Sequence, residues 1–232
     1  MKRLNILTEG QTEEKFVWDL LAPHLANFEI VVNARCIITG KTRPFQANGN
    51  RQNKLHKGGL IDFPQVSRDL QRWRNEDPQA TLTTMFDLYA LPDDFPLYQQ
   101  SINQPPSVRV ESLEQAFLDE LGLSNFVPYI QLHEFEALLF SDIQTLNTIV
   151  ARDSKYPEQT LRQLQEISQS FENPELINDS PITAPSKRLY SIFSEKYQKT
   201  SEGNDVAILI GLEKIRAQCP HFNAWVTKLE NI

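Results

Sequence analysis

The chain has 232 residues, enough for one large domain or for a domain with a substantial appendage. Hydrophobic residues make up 40% and charged residues 23%, which is typical of folded globular proteins and unlike disordered chains. The formal net charge of −7 argues against a protein that coats nucleic acid by bulk electrostatics, although it does not exclude a local basic groove.

Targeting and redox signals are few. The longest apolar run is too short to cross a bilayer, and the start MKRLNIL lacks an apolar region of the length that a secretory signal needs. The two cysteines, Cys36 and Cys219, lie far apart in the sequence and fit no metal-binding spacing, so both are interpreted as reduced thiols. These features predict a cytoplasmic protein with no membrane partner.

The first predicted element is a strand over residues 3–8 (RLNILT), directly before Glu9. Apolar residues at helical spacing follow it, so a helix is predicted with Thr12 as its N-cap and Glu13 in its first turn. Gly10 is expected to let the backbone turn sharply between the strand and the helix.

Strands and helices continue to alternate along the first part of the chain. Runs rich in β-branched and aromatic residues predict three further strands, over 28–38, 81–89 and 126–133. Helices are predicted over 64–77 and 112–121, the second opened by a capping box at Ser112 and ended by Gly122. This order predicts an α/β fold with a mainly parallel sheet and helices on both faces.

After residue 142 the pattern changes to helices alone. Apolar residues recur at helical spacing through the rest of the chain, and no convincing strand remains. The sequence therefore predicts an α/β domain over 1–142 and a helical C-terminal subdomain over 143–232 that packs on it.

Acidic residues stand at the ends of three predicted strands: Glu9 at the first, Asp87 at the third, and Glu134 with Glu136 at the fourth. The carboxyl ends of parallel strands meet at one edge of the sheet, where ligands bind. Glu13, one helical turn after Glu9, can face the same place. Carboxylates held together repel unless a cation neutralises them, and Mg²⁺ takes one or two carboxylates and keeps waters. The acids therefore predict a divalent-metal site suited to phosphoryl chemistry.

Each acid also has an ordinary structural explanation. Glu13 and Glu14 in a first helical turn complement the helix dipole. Asp87 can cap a turn, and Glu134 and Glu136 can be solvated or capping groups. Only their combination at the ends of separate strands favours the metal site.

Histidine and tryptophan residues give weaker signals. His133, beside the acids of the fourth strand, is a candidate ligand or proton donor. His221, after a proline, is expected to cap or pack. Trp18, Trp73 and Trp225 lie on apolar helical faces and are expected in the core rather than as stacking platforms for bases.

A hydrophobic strand that ends in Glu-Gly, a Thr-Glu that opens a helix, and a later strand that ends in an Asp motif together resemble the TOPRIM fold. That fold serves topoisomerases, primases and OLD-type nucleases. More narrowly, the chain resembles an uncharacterised bacterial TOPRIM-like family, the domain of unknown function DUF4276. The resemblance spans nearly the whole chain, through TEGQTEEKFV, HKGGLIDF, MFDLYALPDDFP, VPYIQLHEFEALLFSD, TAPSKRL and IGLEKIRAQCPHFNAW. It implies a TOPRIM-like (Rossmann-like) sheet.

The resemblance also implies roles for single residues. Glu9 matches the TOPRIM glutamate, which is a metal ligand or general base, and Glu13 matches the second glutamate that OLD-type nucleases place on a metal. Asp87 matches the first aspartate of the usual Asp-x-Asp, whereas Tyr89 stands where the second is expected, which removes one ligand. The acids that can replace it are Asp93, Asp94 and Glu134.

Two basic stretches are predicted to hold phosphate. One belongs to residues 40–61, a glycine- and asparagine-rich segment that is expected to be a charged loop, and the other opens the helix after Pro185. The predicted phosphate-binding residues are Lys54, Lys57, Gly58, Gly59, Lys187 and Arg188. The alternatives are a solvated loop and a helix start with exposed basic residues.

The residues and the resemblance together predict a Mg²⁺- or Mn²⁺-dependent nuclease with Glu9, Asp87 and Glu134 as catalytic residues. The chain has no G-x-x-x-x-G-K-[ST] loop, so it is not expected to hydrolyse ATP. Because OLD-type nucleases join a TOPRIM domain to an ABC-type ATPase, the resemblance implies a separately encoded ATPase partner and a role in phage defence. Two alternatives are a binding or adaptor module whose metal site has decayed, favoured by Tyr89 and the acidic net charge, and a hydrolase of small phosphoesters.

Overall fold

The computed structural model describes residues 1–41, 55–57, 60, 62–152, 154–178, 182–193, 197 and 202–232. For residues 38–41 and 55–57 only the backbone is described. The described elements confirm an α/β fold with a mainly parallel sheet flanked by helices.

The strands form one parallel sheet and one small antiparallel pair. They are β1 (Lys2–Thr8), β2 (Ile30–Cys36), β3 (Ile38–Lys41), β4 (Leu55–Lys57), β5 (Thr81–Asp87), β6 (Phe126–Val127) and β7 (Ile130–Gln131). The main sheet has the order β2-β1-β5-β6, with β7 also beside β5, and all its pairings are parallel. β3 and β4 pair with each other in antiparallel fashion. β1 and β5 are therefore neighbours at the centre of the sheet.

The helices lie between the strands and, after β7, follow one another without further described strands. They are α1 (Gln11–Phe16), α2 (Ala22–Ala26), α3 (Phe63–Glu76), α4 (Tyr98–Ser101), α5 (Pro106–Leu121), α6 (Ile143–Val150), α7 (Pro157–Gln169), α8 (Pro185–Phe193), α9 (Asn204–Ile210), α10 (Leu212–Gln218) and α11 (Pro220–Glu230). Short 3₁₀ segments cover Leu88–Ala90, Phe135–Asp142 and Pro174–Leu176.

Three predicted strands are shorter than expected. The strand predicted over 81–89 ends at Asp87, where a 3₁₀ turn follows. The strand predicted over 28–38 ends at Cys36, and Ile38 opens β3 in the other sheet, so the stretch predicted as a loop from residue 40 includes strand residues. The strand predicted over 126–133 is interrupted at Pro128, which lacks the N–H that a sheet ladder requires.

Two predicted helix starts are wrong. α1 begins at Gln11 with Gly10 in the N-cap position, so Thr12 lies inside the helix. α5 begins at Pro106, a residue type that suits the first helical position, so Ser112 is interior and opens no capping box. Gly122 ends α5 as predicted, with φ 59° in the left-handed region.

The helix after β1 widens into a π-helical turn over Val17–Leu21 before α2. Pro23 explains the widening, because it cannot donate the backbone hydrogen bond that an α-helix would direct at the carbonyl of Asp19. Trp18 in this turn is 44% exposed, so its predicted place in the core is wrong, whereas Trp73 and Trp225 are buried as predicted.

The sheet separates two buried clusters. Leu4 and Ile6 of β1 face a cluster that contains residues of α1 and of the C-terminal helices, whereas Leu7 faces a cluster with residues of α3 and α5. Trp225 of α11 donates its Nε1–H to Thr83 Oγ1 of β5 at 2.8 Å. The C-terminal helices thus share a core with one face of the sheet, while the division into two domains at residue 142 stays a prediction. No helix within the described ranges has the length and apolar character needed to cross a membrane.

Candidate functional site

The ends of β1 and β5 bring two of the predicted acids together. The strands pair with Thr8 opposite Met85, and the backbone N–H of Glu9 donates to the carbonyl of Met85 at 3.1 Å. Asp87, the last residue of β5, donates its backbone N–H to Glu9 Oε2 at 3.1 Å. Glu9 is half-buried and Asp87 is buried. Because the strands are parallel neighbours, both residues lie at the same edge of the sheet.

Glu13 folds back over the junction between β1 and α1. A Cβ atom at residue 10 would lie 2.9 Å from Glu13 Oε2, so the carboxylate passes directly over Gly10. The Gly10 backbone is extended, with φ −141° and ψ 179°, a conformation that any residue can adopt. The prediction that the backbone needs glycine here for a sharp turn is therefore wrong. What requires glycine is the close approach of the Glu13 carboxylate, which is buried in the first turn of α1.

A left-handed residue, His133, connects the end of β7 to this edge. Its φ is 62°, a strained value for a residue other than glycine. Its carbonyl accepts a hydrogen bond from the N–H of Tyr89 at 3.2 Å, and two residues later the N–H of Phe135 donates to Asp87 Oδ1 at 2.9 Å. The turn at His133 therefore ties the end of β7 to Asp87 and fixes the orientation of that carboxylate.

The imidazole of His133 is buried, 2% exposed, and lies 5.4 Å from the Tyr89 ring. Burial disfavours its charged form, and the positive charge of Arg109 adds to this effect, so the pKa of His133 falls to about 4. Among the described groups, no hydrogen-bond partner faces its Nδ1 atom. His133 is consequently an uncharged group at neutral pH.

Glu134 directs its carboxylate at the start of α8. Its Oε2 atom accepts a hydrogen bond from the backbone N–H of Ser186 at 2.9 Å. A carboxylate in this position is stabilised by the N-terminal end of the helix dipole. The sequence predicts that the start of α8 binds a phosphate. In the structure the Glu134 carboxylate occupies that helix start instead.

Lys187 and Arg188 follow in the same helix. Lys187 is exposed. Arg188 donates its Nε–H to the carbonyl of Thr183 at 2.7 Å, and its guanidinium lies 5.4 Å from the centre of the Phe171 ring. Arg188 thus contacts the residues before its own helix and Phe171, which follows α7. Lys54, Gly58 and Gly59 lie outside the residues that the structure describes, and of Lys57 only the backbone, at the end of β4, is described.

Glu136, the last of the predicted acids, is 1% exposed within the 3₁₀ segment after His133. It lies near the buried hydroxyl of Tyr197. Burial, and then the negative charge of Glu136, raise the pKa of Tyr197 well above its usual value. Glu136 is therefore part of the buried surroundings of a tyrosine.

A metal site of five acids does not form in this arrangement. Within the described ranges, no three His, Cys, Asp or Glu side chains converge closely enough to hold a metal ion. The Glu9–Asp87 pair, with Glu13 beside the junction, offers hard oxygen donors. Mg²⁺ binds through one or two carboxylates and completes its shell with waters. The donor chemistry of this pair fits one such ion and does not fit a two-metal site.

Arg109 is the charged residue of this edge that sequence reasoning missed. It is the fourth residue of α5, and α5 begins where the chain leaves the carboxyl end of β5 for β6. Because the predicted helix begins at residue 112, Arg109 lies before its predicted start and in no predicted element. The pair Pro105-Pro106 is the signal that could have placed Arg109 in the first helical turn.

Comparison with known proteins gives a family. Residues 8–230 match the family model described as "Domain of unknown function (DUF4276)". No curated protein matches the chain. Among solved structures, the C-terminal region of the Xanthomonas campestris pv. campestris OLD protein, phased with mercury, has a TM-score of 0.43 and 12% identity over 100% of this chain and 99% of that chain. The same region phased with iodine has a TM-score of 0.39 and 13% identity over 100% and 99% of the two chains. These likenesses are weak and assign no residue a role.

Proposed function

Because the chain belongs to the DUF4276 family, whose description assigns no reaction, we propose its function from the edge of the sheet: metal-dependent hydrolysis of phosphodiester bonds in nucleic acid. The observation that carries the proposal is the pairing of Glu9 and Asp87 at the carboxyl ends of two adjacent parallel strands, where the N–H of Asp87 donates to Glu9 Oε2. This is the position at which open α/β sheets bind ligands.

The backbone prepares this pair for a cation. Hydrogen bonds from the N–H groups of Asp87 and Phe135 hold the carboxylates of Glu9 and Asp87 in fixed orientations. Glu13 adds a third negative charge nearby, and Mg²⁺ or Mn²⁺ would be held by Glu9 and Asp87 with its help. When bound, such an ion polarises a phosphoryl oxygen and lowers the pKa of a water molecule. Glu134, whose Oε2 accepts from Ser186, is assigned to the start of α8 instead.

The partner is a further part of the proposal. The sequence resembles the TOPRIM domain of OLD-type nucleases, which are joined to an ABC-type ATPase. The chain itself has no phosphate-binding loop of the G-x-x-x-x-G-K-[ST] kind. We therefore include a separately encoded ATPase of that type, acting with this chain in phage defence.

Cleavage assays on the purified full chain test the nuclease. Plasmid and single-stranded substrates are incubated with Mn²⁺ or EDTA, with and without the proposed ABC-type ATPase partner. The expected result is Mn²⁺-dependent cleavage that Glu9→Gln and Asp87→Asn reduce by about 100-fold. The control is Glu158→Gln, an acid with an 89% exposed side chain on α7, which leaves cleavage unchanged. Equal cleavage by wild type and Glu9→Gln would contradict the proposal.

A second candidate is a binding or adaptor module without catalysis. Two observations favour it: Tyr89 occupies a 3₁₀ turn where a second aspartate is expected, and no three ligands converge within the part of the chain that the structure describes. Calorimetric titration with Mn²⁺ separates the two candidates. The nuclease requires Mn²⁺ binding that Glu9→Gln weakens, whereas the adaptor predicts no Mn²⁺ binding at this edge.

A further inference from the structure

Arg109 is an arginine held in place without an acidic partner among the residues that the structure describes. Its guanidinium lies 4.8 Å from the centre of the Tyr98 ring, and its Nε–H donates to Ser101 Oγ at 3.4 Å. No carboxylate of a described residue lies within ion-pair distance of it. Some arginines have acidic partners, as Arg3 has Asp77, whereas Arg68 and Arg74 bond to uncharged groups. What distinguishes Arg109 is its buried Nη2 atom without a described hydrogen-bond partner. An aromatic ring and a hydroxyl therefore fix the orientation of Arg109, and no carboxylate of the described part of the chain pairs with its charge.

Arg109 and His133 each carry a buried nitrogen that is unsatisfied among the described groups. The Arg109 Nη2 atom is buried and has no hydrogen-bond partner among the described groups, and the same is true of His133 Nδ1. The positive charge of Arg109 acts on the imidazole of His133 and, after burial, lowers its pKa, so the two groups share one electrostatic environment. Leaving a charged donor and an imidazole nitrogen unsatisfied costs free energy, so such atoms point to a group that the protein alone does not supply.

Arg109 and His133 both belong to the carboxyl edge of the sheet. Arg109 is in the first turn of α5, which lies on the connection from the carboxyl end of β5 back to the start of β6, so this turn is expected toward the carboxyl end of the sheet. His133 follows β7 at that end. His133 is tied to Asp87 through the N–H of Phe135 and contacts the ring of Tyr89. The unpaired cation therefore lies on the same edge as the Glu9–Asp87 pair.

We propose that Arg109, with His133 behind it, binds a backbone phosphate of a nucleic-acid strand whose neighbouring phosphate lies at Glu9 and Asp87. The planar guanidinium matches the geometry of phosphate oxygens, and the stacked Tyr98 ring fixes its orientation before the ligand arrives. Arg109 is half-buried, so it reaches the surface while its inner nitrogen faces the interior. The identity of the strand as a substrate rests on the proposed function, but the binding of phosphate by Arg109 requires no cleavage.

Fluorescence anisotropy in EDTA tests this subsite without metal or catalysis. The probe is a labelled single-stranded dT12 titrated with the full chain at several salt concentrations. Arg109→Ala is expected to weaken binding about tenfold, as for the loss of a charge-assisted contact, and to lower the slope of log K against log salt by about 1. The matched control is Arg162→Ala, whose side chain is 74% exposed on α7 and which leaves both quantities unchanged.

A second variant, a folding control and a competition assay complete this experiment. Arg109→Lys retains a point charge without the planar fork and is expected to fall between wild type and Arg109→Ala, while thermal unfolding checks that both variants fold. Competition by unlabelled dT12 but not by equimolar inorganic phosphate identifies a strand rather than a free anion. Wild-type affinity in Arg109→Ala, no dT12 binding by wild type, or equal competition by inorganic phosphate would each overturn the proposal.

The two proposals fail separately. Glu9→Gln is expected to reduce Mn²⁺-dependent cleavage about 100-fold, whereas the tenfold loss of dT12 affinity caused by Arg109→Ala is expected to persist when it is measured in the Glu9→Gln background. Arg109-dependent binding without any Mn²⁺-dependent cleavage would remove the nuclease and leave the phosphate subsite. Cleavage that depends on Glu9, combined with unchanged binding by Arg109→Ala, would support the nuclease and overturn the phosphate subsite.

Discussion

Two groups of buried acids in the described part of the chain, apart from Glu136 near Tyr197, have different surroundings. The first region, here named the capping cluster, consists of Glu114, Glu175 and His221. Glu175 accepts hydrogen bonds from the backbone N–H groups of His221 at 2.8 Å and Phe222 at 3.0 Å, which open α11. Glu114 accepts from the N–H of Ile130 at 2.9 Å and lies 3.0 Å from His221 Nε2. Each acid of the capping cluster therefore satisfies buried donors and holds α11 in place.

The second region, here named the carboxylate edge, consists of Glu9, Glu13 and Asp87. Its acids gather like charges at strand ends, next to a left-handed His133 and an arginine without an acidic partner. Burial alone does not distinguish the two regions, because acids are buried in both. The distinguishing features are backbone strain, close approach and unsatisfied groups, which natural proteins retain where a ligand is bound.

The largest expected effect on stability lies in the capping cluster. Glu175→Ala leaves the N–H groups of His221 and Phe222 without their acceptor, so we expect the free energy of unfolding to fall by about 3 kcal/mol. Urea denaturation measures it. Glu172→Ala, an exposed acid just before the same 3₁₀ segment, is the control and is expected to change stability by less than about 0.5 kcal/mol. A similar small change in both variants would show that Glu175 does not hold α11.

The two regions are also expected to respond to pH in opposite directions. The folded-state pKa of His133 is about 4, below its ordinary value of 6.5, so the unfolded chain binds more protons between these values. The free energy of unfolding therefore falls as pH drops through this window, by at most about 3 kcal/mol. Urea titrations in EDTA from pH 7.5 to 4.5 measure this loss. His133→Asn, which tolerates the left-handed backbone, is expected to reduce it.

His221 is expected to make the free energy of unfolding depend on pH in the opposite direction. Burial lowers its pKa, but the hydrogen bond and the charge of Glu114, together with the charge of Glu175, outweigh burial and raise it. The folded chain then binds more protons, so this stabilisation is fully present below the unfolded pKa of about 6.5 and is lost as pH rises through the folded value. His221→Gln should flatten the neutral-to-alkaline part of the stability profile and leave the His133-dependent acidic part. A profile in which neither variant changes its own part would refute the assignment.

Glu134 tests where one region ends and the other begins. Since its Oε2 accepts from Ser186, Glu134→Ala is expected to cost about 1 kcal/mol, as for a lost helix cap, while Glu134→Gln retains most of the stability. Mn²⁺ affinity, measured by calorimetry, should remain that of wild type in Glu134→Gln. A loss of Mn²⁺ affinity in that variant would move Glu134 to the carboxylate edge, where the sequence predicts it.

The sequence predicts the carboxylate edge better than the capping cluster because local patterns determine it. The strands before Glu9 and Asp87 have strong apolar patterns, and parallel order alone brings their ends together. The partner of Glu134 is Ser186, 52 residues later, and the partner of His221 is Glu114, 107 residues earlier. Such contacts depend on how helices pack, which periodicity does not reveal. Trp18 is exposed for a local reason, since the π-helical turn changes which face of the helix is buried.

Gly10→Ala is the smallest and most selective change at the carboxylate edge. The backbone at residue 10 is extended and suits alanine, so we expect the free energy of unfolding to change by less than about 1 kcal/mol. The new Cβ atom, however, would lie 2.9 Å from Glu13 Oε2 and must displace that carboxylate. Mn²⁺ affinity is therefore expected to fall about tenfold, while Gln11→Ala, an exposed neighbour, leaves it unchanged. If Gly10→Ala binds Mn²⁺ as wild type does, the carboxylate over Gly10 contributes nothing to the ion, and Glu13 belongs to the helix dipole alone.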